Sequence, residues 1–190
     1  TNAVIHERNS TATRFEAGPG VVTMENCEFV NNQLTSIRVG GGDHSSKRTV
    51  VRNCYVEVDG SRDTTAAVQV EGSWSHPAVF HRLLVDWANE GARGVIASPS
   101  YQPHGPAAFE GCIVRNEAVG TPTVSFATPT IPESQVTIEN SNFTGAGGDI
   151  RSEGRPNSVI RNCCIDMPNA SISGFDLENV TRNGCLRPGG

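Results

Sequence analysis

One phrase recurs seven times along this 190-residue chain, and it limits the possible folds more than any other feature. An alternating apolar run leads into a two-residue corner, usually a polar residue followed by Asn. A second alternating run comes out of it. The phrases are Val22–Phe29, Val50–Val56, Val79–Val85, Ala108–Val114, Val136–Phe143, Val159–Ile165 and Asp176–Val180. The position held by Cys27 passes to Cys54, Leu83, Cys112, Ser141, Cys163 and Val180, at steps of 27, 29, 29, 29, 22 and 17 residues. Self-similarity at such a period means that each unit buries its apolar face against its neighbours. The fragment Arg8-Asn9-Ser10 reads as the tail of one further phrase.

The corner is Glu25-Asn26, Arg52-Asn53, Glu139-Asn140, Arg161-Asn162 and Glu178-Asn179, with Glu110-Gly111 and His81-Arg82 as variants. Asn and Gly accept the left-handed backbone that a sharp corner demands. After the corner the strand alternates, with Cys27, Phe29, Cys54 and Val56 inward and Glu28 and Tyr55 outward. A third strand is expected at 36–39, 67–70, 94–97, 123–126, 149–151 and 171–173. No stretch has the spacing of an amphipathic helix. Three short strands per turn, stacked on copies of themselves, make an all-β parallel solenoid. About seven coils at ~4.8 Å each give a rod on the order of 34 Å long.

The architecture resembles the single-stranded right-handed parallel β-helix of the pectate-lyase-like superfamily. The likeness covers nearly the whole chain, and the stacked corner residues are similar to that family's asparagine ladder. Sandwiches and propellers would need hairpin signals that the chain lacks. The expectation is one domain over residues 1–190, read as a processed product or a piece of a longer chain, since it opens at Thr1 without an initiating Met or a signal-peptide pattern.

Composition narrows the partners. A formal net charge of −5 fits poorly with a nucleic-acid backbone, and no apolar run is long enough to cross a membrane. Lys47 is the one Lys among 15 basic residues, which fits either a GC-rich genome or a salt-adapted surface. Six cysteines without a CxxC pair argue against a zinc ribbon or redox motif. Cys27, Cys54, Cys112 and Cys163 read as reduced interior packing residues. Cys164 points outward and Cys185 lies near the chain end; they are the pair to be bonded if any is, the alternative being two free thiols.

Function on a solenoid belongs to loops and outward strand faces. The resemblance implies a cleft along the third-strand face, whose outward residues are read as Arg38, Gln69, Ile96, Ser125 and Arg151. The loops that follow carry Asp43-His44, Trp74-Ser75-His76 and Tyr101 to His104. Trp74 and Tyr101 offer flat faces for sugar rings, and Arg38, Gln69 and Arg151 offer donors for hydroxyl or acidic groups. Loops that fold back and bury those aromatics are the competing reading. The histidines His44, His76 and His104 are read as solvent-facing, so neither a metal nor a cofactor is expected. Family lyases pair carboxylate-bound calcium with an Arg or Lys base, and family glycosidases cluster carboxylates. Here the carboxylates are spread about one per coil, and the weak catalytic candidates are Asp43, Glu71, His44 and His76. Arg151 with Arg155-Pro156 only loosely echoes a lyase motif. No phosphate-binding or zincin motif occurs.

The reading that follows is a structural or recognition domain of an exported or virion surface protein, like a tail-spike, fibre or adhesin. Its expected partners are a polysaccharide or surface glycan and further copies or neighbouring domains of a larger assembly. The alternative is a polysaccharide lyase or glycoside hydrolase acting in the same groove.

Overall fold

The protein was analysed as a computed structural model, which describes residues 3–5, 13–15, 20–30, 35–39, 47–58, 66–70, 78–88, 94–98, 106–128 and 134–185. Among these there is no helix. The chain passes in turn through three parallel sheets, of eight, seven and seven strands. The pre-corner sheet runs from Gly20–Glu25 to Asp176–Glu178, the post-corner sheet from Ala3–Ile5 to Thr181–Arg182, and the third sheet from Thr13–Phe15 to Ile172–Ser173. Every strand pair is parallel and joins neighbouring turns of the repeat, which makes the fold a parallel β-solenoid.

The corner follows the backbone chemistry expected of it. Its second residue is left-handed at Asn26 (φ 55°), Asn53 (52°), Arg82 (52°), Gly111 (63°), Asn140 (49°), Asn162 (51°) and Asn179 (51°). Each of these N–H groups from Asn26 to Asn162 has its partner one turn on. Asn53 donates to the His81 carbonyl (3.0 Å), and Arg82 donates to that of Glu110 (2.8 Å). The asparagine side chains differ from the ladder expected. Asn26, Asn53, Asn140, Asn162 and Asn179 are all exposed. Asn179 Nδ2 donates to Asn162 Oδ1 (3.0 Å), an amide-to-amide contact between neighbouring turns. Asn is therefore used here for its tolerance of positive φ, with its amide facing water.

The first corner residue forms an outward column in register from turn to turn. Arg52 pairs with Glu25 at 2.8 Å, and Arg161 pairs with Glu139 at 2.8 Å and Glu178 at 4.0 Å. Exposed pairs of this kind contribute about 0–1 kcal/mol each, so they favour the register more than they add stability.

The interior is filled by one residue per turn in each column. Phe29, Val56, Val85, Val114, Phe143 and Ile165 are fully buried under the post-corner sheet. Phe80 and Phe109 stack across adjacent turns (4.7 Å, 7°), and Phe109 meets Phe126 edge-on across the interior. The column that contains Val58 and Trp87 ends in a buried Asn116. Asn116 Nδ2 donates to the Thr121 carbonyl (2.9 Å) and Thr123 Oγ1 (3.0 Å), while its Oδ1 accepts the Ala118 N–H (3.1 Å). The next turn presses on it. A Cβ at Gly145 (φ 114°) would run into the Asn116 backbone, and one at Gly147 would run into its carboxamide.

Two outcomes are expected. Asn116→Ala leaves buried backbone groups unpaired and should cost about 1–3 kcal/mol, measured by urea denaturation against the exposed control Gln135→Ala. Arg82→Asn should raise the urea midpoint by up to about 1 kcal/mol in stability, because Arg holds a left-handed φ less readily than Asn. An unchanged or lower midpoint for Arg82→Asn would show that the Arg side chain contributes more than its backbone strain costs.

Candidate functional site

The third-strand face brings together three of the expected ligand-binding residues. Register sets Arg38 beside Gln69, Gln69 beside Ala97, Ala97 beside Ser125, and Ser125 beside Arg151. Arg38, Gln69 and Arg151 are half-buried members of one outward column. Arg151 Nε donates to Ser125 Oγ (3.1 Å), and Thr35 Oγ1 donates to Gln69 Oε1 (3.4 Å). Nearby, Asp149 accepts both the N–H (3.1 Å) and the hydroxyl (2.8 Å) of Ser171, which holds its carboxyl below the usual range.

One member of this face needs correction. Ile96 faces inward at 1% exposure and sits in register with Val68 and Val124; Ala97 takes its place in the column by register with Gln69 and Ser125, although it is buried too. Val95, Ile96 and Ala97 are all apolar, so alternation could not fix the parity. The Val68 N–H bond to the Val95 carbonyl (3.1 Å) does fix it. Arg155 is also not a groove residue. It is 4% exposed, lies over the Phe126 ring (5.1 Å), and donates to the carbonyls of Ser134 (3.0 Å) and Ala127 (3.4 Å). Burial pulls its guanidinium down to about 10, so it acts as an interior tie between turns. Trp74, Tyr101, Asp43, His44, Glu71, His76 and His104 lie outside the described residues.

A second outward face joins Glu28, Tyr55 and Cys164, each read as outward from the sequence, to residues of other turns. On the post-corner sheet, Glu28, Tyr55, Leu84, Ile113, Asn142 and Cys164 form one column. Glu57, Asp86, Arg115, Thr144 and Asp166 form the next. Leu84 and Ile113 are 41% and 45% exposed and adjacent. Two depressions of about 570 and 490 Å³ follow this face and share Ile113, Arg115 and Thr144 as a common wall. The signal was present, since the first column directly follows the Cys-type position of each phrase and the second lies two residues further on.

Cys27, Cys54, Cys112 and Cys163 are not in disulfides and are between 1% and 5% exposed. A shallow depression of about 350 Å³ opens beside Cys27 and Cys54. Each thiol is engaged with the backbone two residues back, across its own corner. Cys27 donates to the Glu25 carbonyl (3.4 Å), Cys54 to Arg52 (3.3 Å) and Cys163 to Arg161 (3.1 Å). Ser141 does the same to Glu139 (2.7 Å) and also accepts the Cys112 N–H (3.0 Å). A small donor at this position thus closes the corner from inside, which accounts for the alternation of Cys with Ser. Burial pushes Cys54 and Cys112 up from 9.0 to about 11, and raises Cys163 too. A thiol held protonated is a poor nucleophile. Cys164 and Cys185 form a disulfide with Cα atoms 5.9 Å apart.

Among the described residues, no group of three or more His, Cys, Asp or Glu side chains is placed to hold a metal ion, and no helix is long and apolar enough to cross a membrane. No family model, curated protein or solved structure matches the chain.

Native alkylation at neutral pH should leave Cys27, Cys54, Cys112 and Cys163 unlabelled, while alkylation in denaturant labels all four without a reductant. The raised thiol values stabilise the folded state below about pH 9, and that contribution is lost as pH climbs toward about 11. The melting temperature should fall over that window, and less steeply in Cys112→Ala. Rapid native labelling would overturn this account of the column.

Proposed function

We propose that the protein is a rigid β-solenoid recognition module of an exported or virion surface protein, akin to the pectate-lyase-like β-helices, and that it binds an extended saccharide along its third-strand face. The observation that carries this reading is the Arg38, Gln69, Ser125 and Arg151 column. It sets polar side chains at four of five successive turns along the axis, with Ala97 between Gln69 and Ser125. A repeating ligand meets a repeating surface there, and several weak contacts add through one chain. The Cys164–Cys185 disulfide supports an oxidising location outside the cytosol. Trp74 and Tyr101 are proposed to add stacking area from the flanking loops, since aromatic faces suit sugar rings.

The test is a titration with acidic and neutral oligosaccharides, following intrinsic Trp fluorescence. An acidic oligosaccharide should bind best. Arg38→Ala/Arg151→Ala should lose at least tenfold in affinity, or about 1.4 kcal/mol, and Trp74→Ala should lose more than either single Arg variant. Absence of binding across the panel would leave a load-bearing rod without a ligand as the better reading. Release of reducing ends or unsaturated products would favour the lyase or hydrolase alternative.

A further inference from the structure

The post-corner face carries a second site, independent of the third-strand face. Its two depressions share a wall and so make one trough along the axis, from the turn of Glu28 to the turn of Asp166. In-register stacking makes that span roughly 24 Å. The floor has an apolar strip where Tyr55, Leu84 and Ile113 follow one another in register. Solvent reaches Leu84 and Ile113 even though the solenoid interior lies directly beneath them.

The charge beside the strip identifies its occupant. Glu28, Glu57, Asp86, Glu117 and Asp166 line the trough or its adjoining column, against Arg115 within it and Arg82 beside Glu28, Tyr55 and Leu84. Arg115 already pairs with Asp86 at 3.6 Å, both partly exposed. Tyr55 donates its hydroxyl to Glu57 (3.2 Å), which aligns the ring with the carboxylate row. The surplus is negative, so the ligand is cationic. An extended basic peptide fits less well. The strands of this sheet from Cys27–Phe29 to Cys164–Asp166 are paired on both sides, which leaves no backbone edge for strand addition. An apolar strip flanked by a polar row instead suits sugar rings, whose C–H faces lie flat while their substituents reach sideways.

We propose that this trough binds a linear amine-bearing polysaccharide, with its rings along Tyr55, Leu84 and Ile113 and its ammonium groups against Asp86, Asp166 and Glu28. Recognition is non-covalent and involves no bond exchange.

Calorimetry with a glucosamine hexasaccharide, held at a pH where its amines are protonated, tests the proposal, with the fully N-acetylated hexasaccharide as the neutral probe. The amine form should bind, the acetylated form should bind at least tenfold more weakly, and affinity should fall as salt rises. Asp86→Asn/Asp166→Asn and Leu84→Ser/Ile113→Ser should each lose at least tenfold. All four positions lie on the outer face, and circular dichroism would verify that the fold is kept. Arg38→Ala/Arg151→Ala should leave this affinity unchanged, which separates failure here from failure of the third-strand reading. Equal binding of the two hexasaccharides, or no loss in either trough variant, would overturn the proposal. Tighter binding of an oligolysine of equal charge would assign the trough to a peptide instead. A concentration-dependent dimer dissolved by Leu84→Ser/Ile113→Ser would assign it to a second copy of the chain.

Discussion

Everything in this molecule depends on hydrogen bonding between one turn and the next. Each strand within a sheet's order satisfies its backbone with the strands above and below it in the stack, and even the corner residues bond to a neighbouring turn. A turn alone would leave three strands unpaired and its apolar columns bare. The left-handed corner makes this arrangement feasible. It turns the chain sharply from one sheet to the next within two residues and still directs its N–H along the axis.

With register fixed by that stacking, side chains sort themselves into columns, and each column takes on one task. The inward columns hold aliphatic and aromatic residues that pack against their own kind. The column just inside the corner holds Cys or Ser, because only a small side chain with a donor reaches back to the carbonyl two residues earlier. Leu83, fully buried, and Val180, packed against the core, fill the same place without a donor, so packing alone suffices at some turns. The outward columns are free of these demands, and there charge and aromatic character can vary from turn to turn.

The parts that were legible in the sequence are those repeated within each phrase. The corner at Asn53, the inward Cys54 and the strand Val68–Val70 each recur at matching places, so their roles could be read before any coordinates. The parts that escaped depend on relations between phrases. Ile96 was misassigned because Val95 and Ala97 are apolar too, and only pairing with Val68 settles which side it faces. The strip formed by Tyr55, Leu84 and Ile113 needs residues almost thirty positions apart to be placed side by side. The role of Asn116 as a buried tie also went unseen, since its partners Ala118, Thr121 and Thr123 lie between phrases, where nothing repeats. A ladder of stacked corner asparagines was expected, whereas the five are exposed and the amide-to-amide bond seen joins Asn179 to Asn162, so positive φ accounts for most of the residue choice.

The disulfide between Cys164 and Cys185 gains meaning from where it lies in the stack. It joins residues 21 apart and encloses the strands Asp176–Glu178 and Thr181–Arg182, which are largely exposed. So exposed a turn opens more readily than one whose columns are buried. Opening it would normally release the entropy of a free segment; a covalent loop of this size withholds about 3 kcal/mol of it. The bond thus pins this turn to the one before it, and amide exchange there would track the redox state of the surroundings rather than the stability of the whole array.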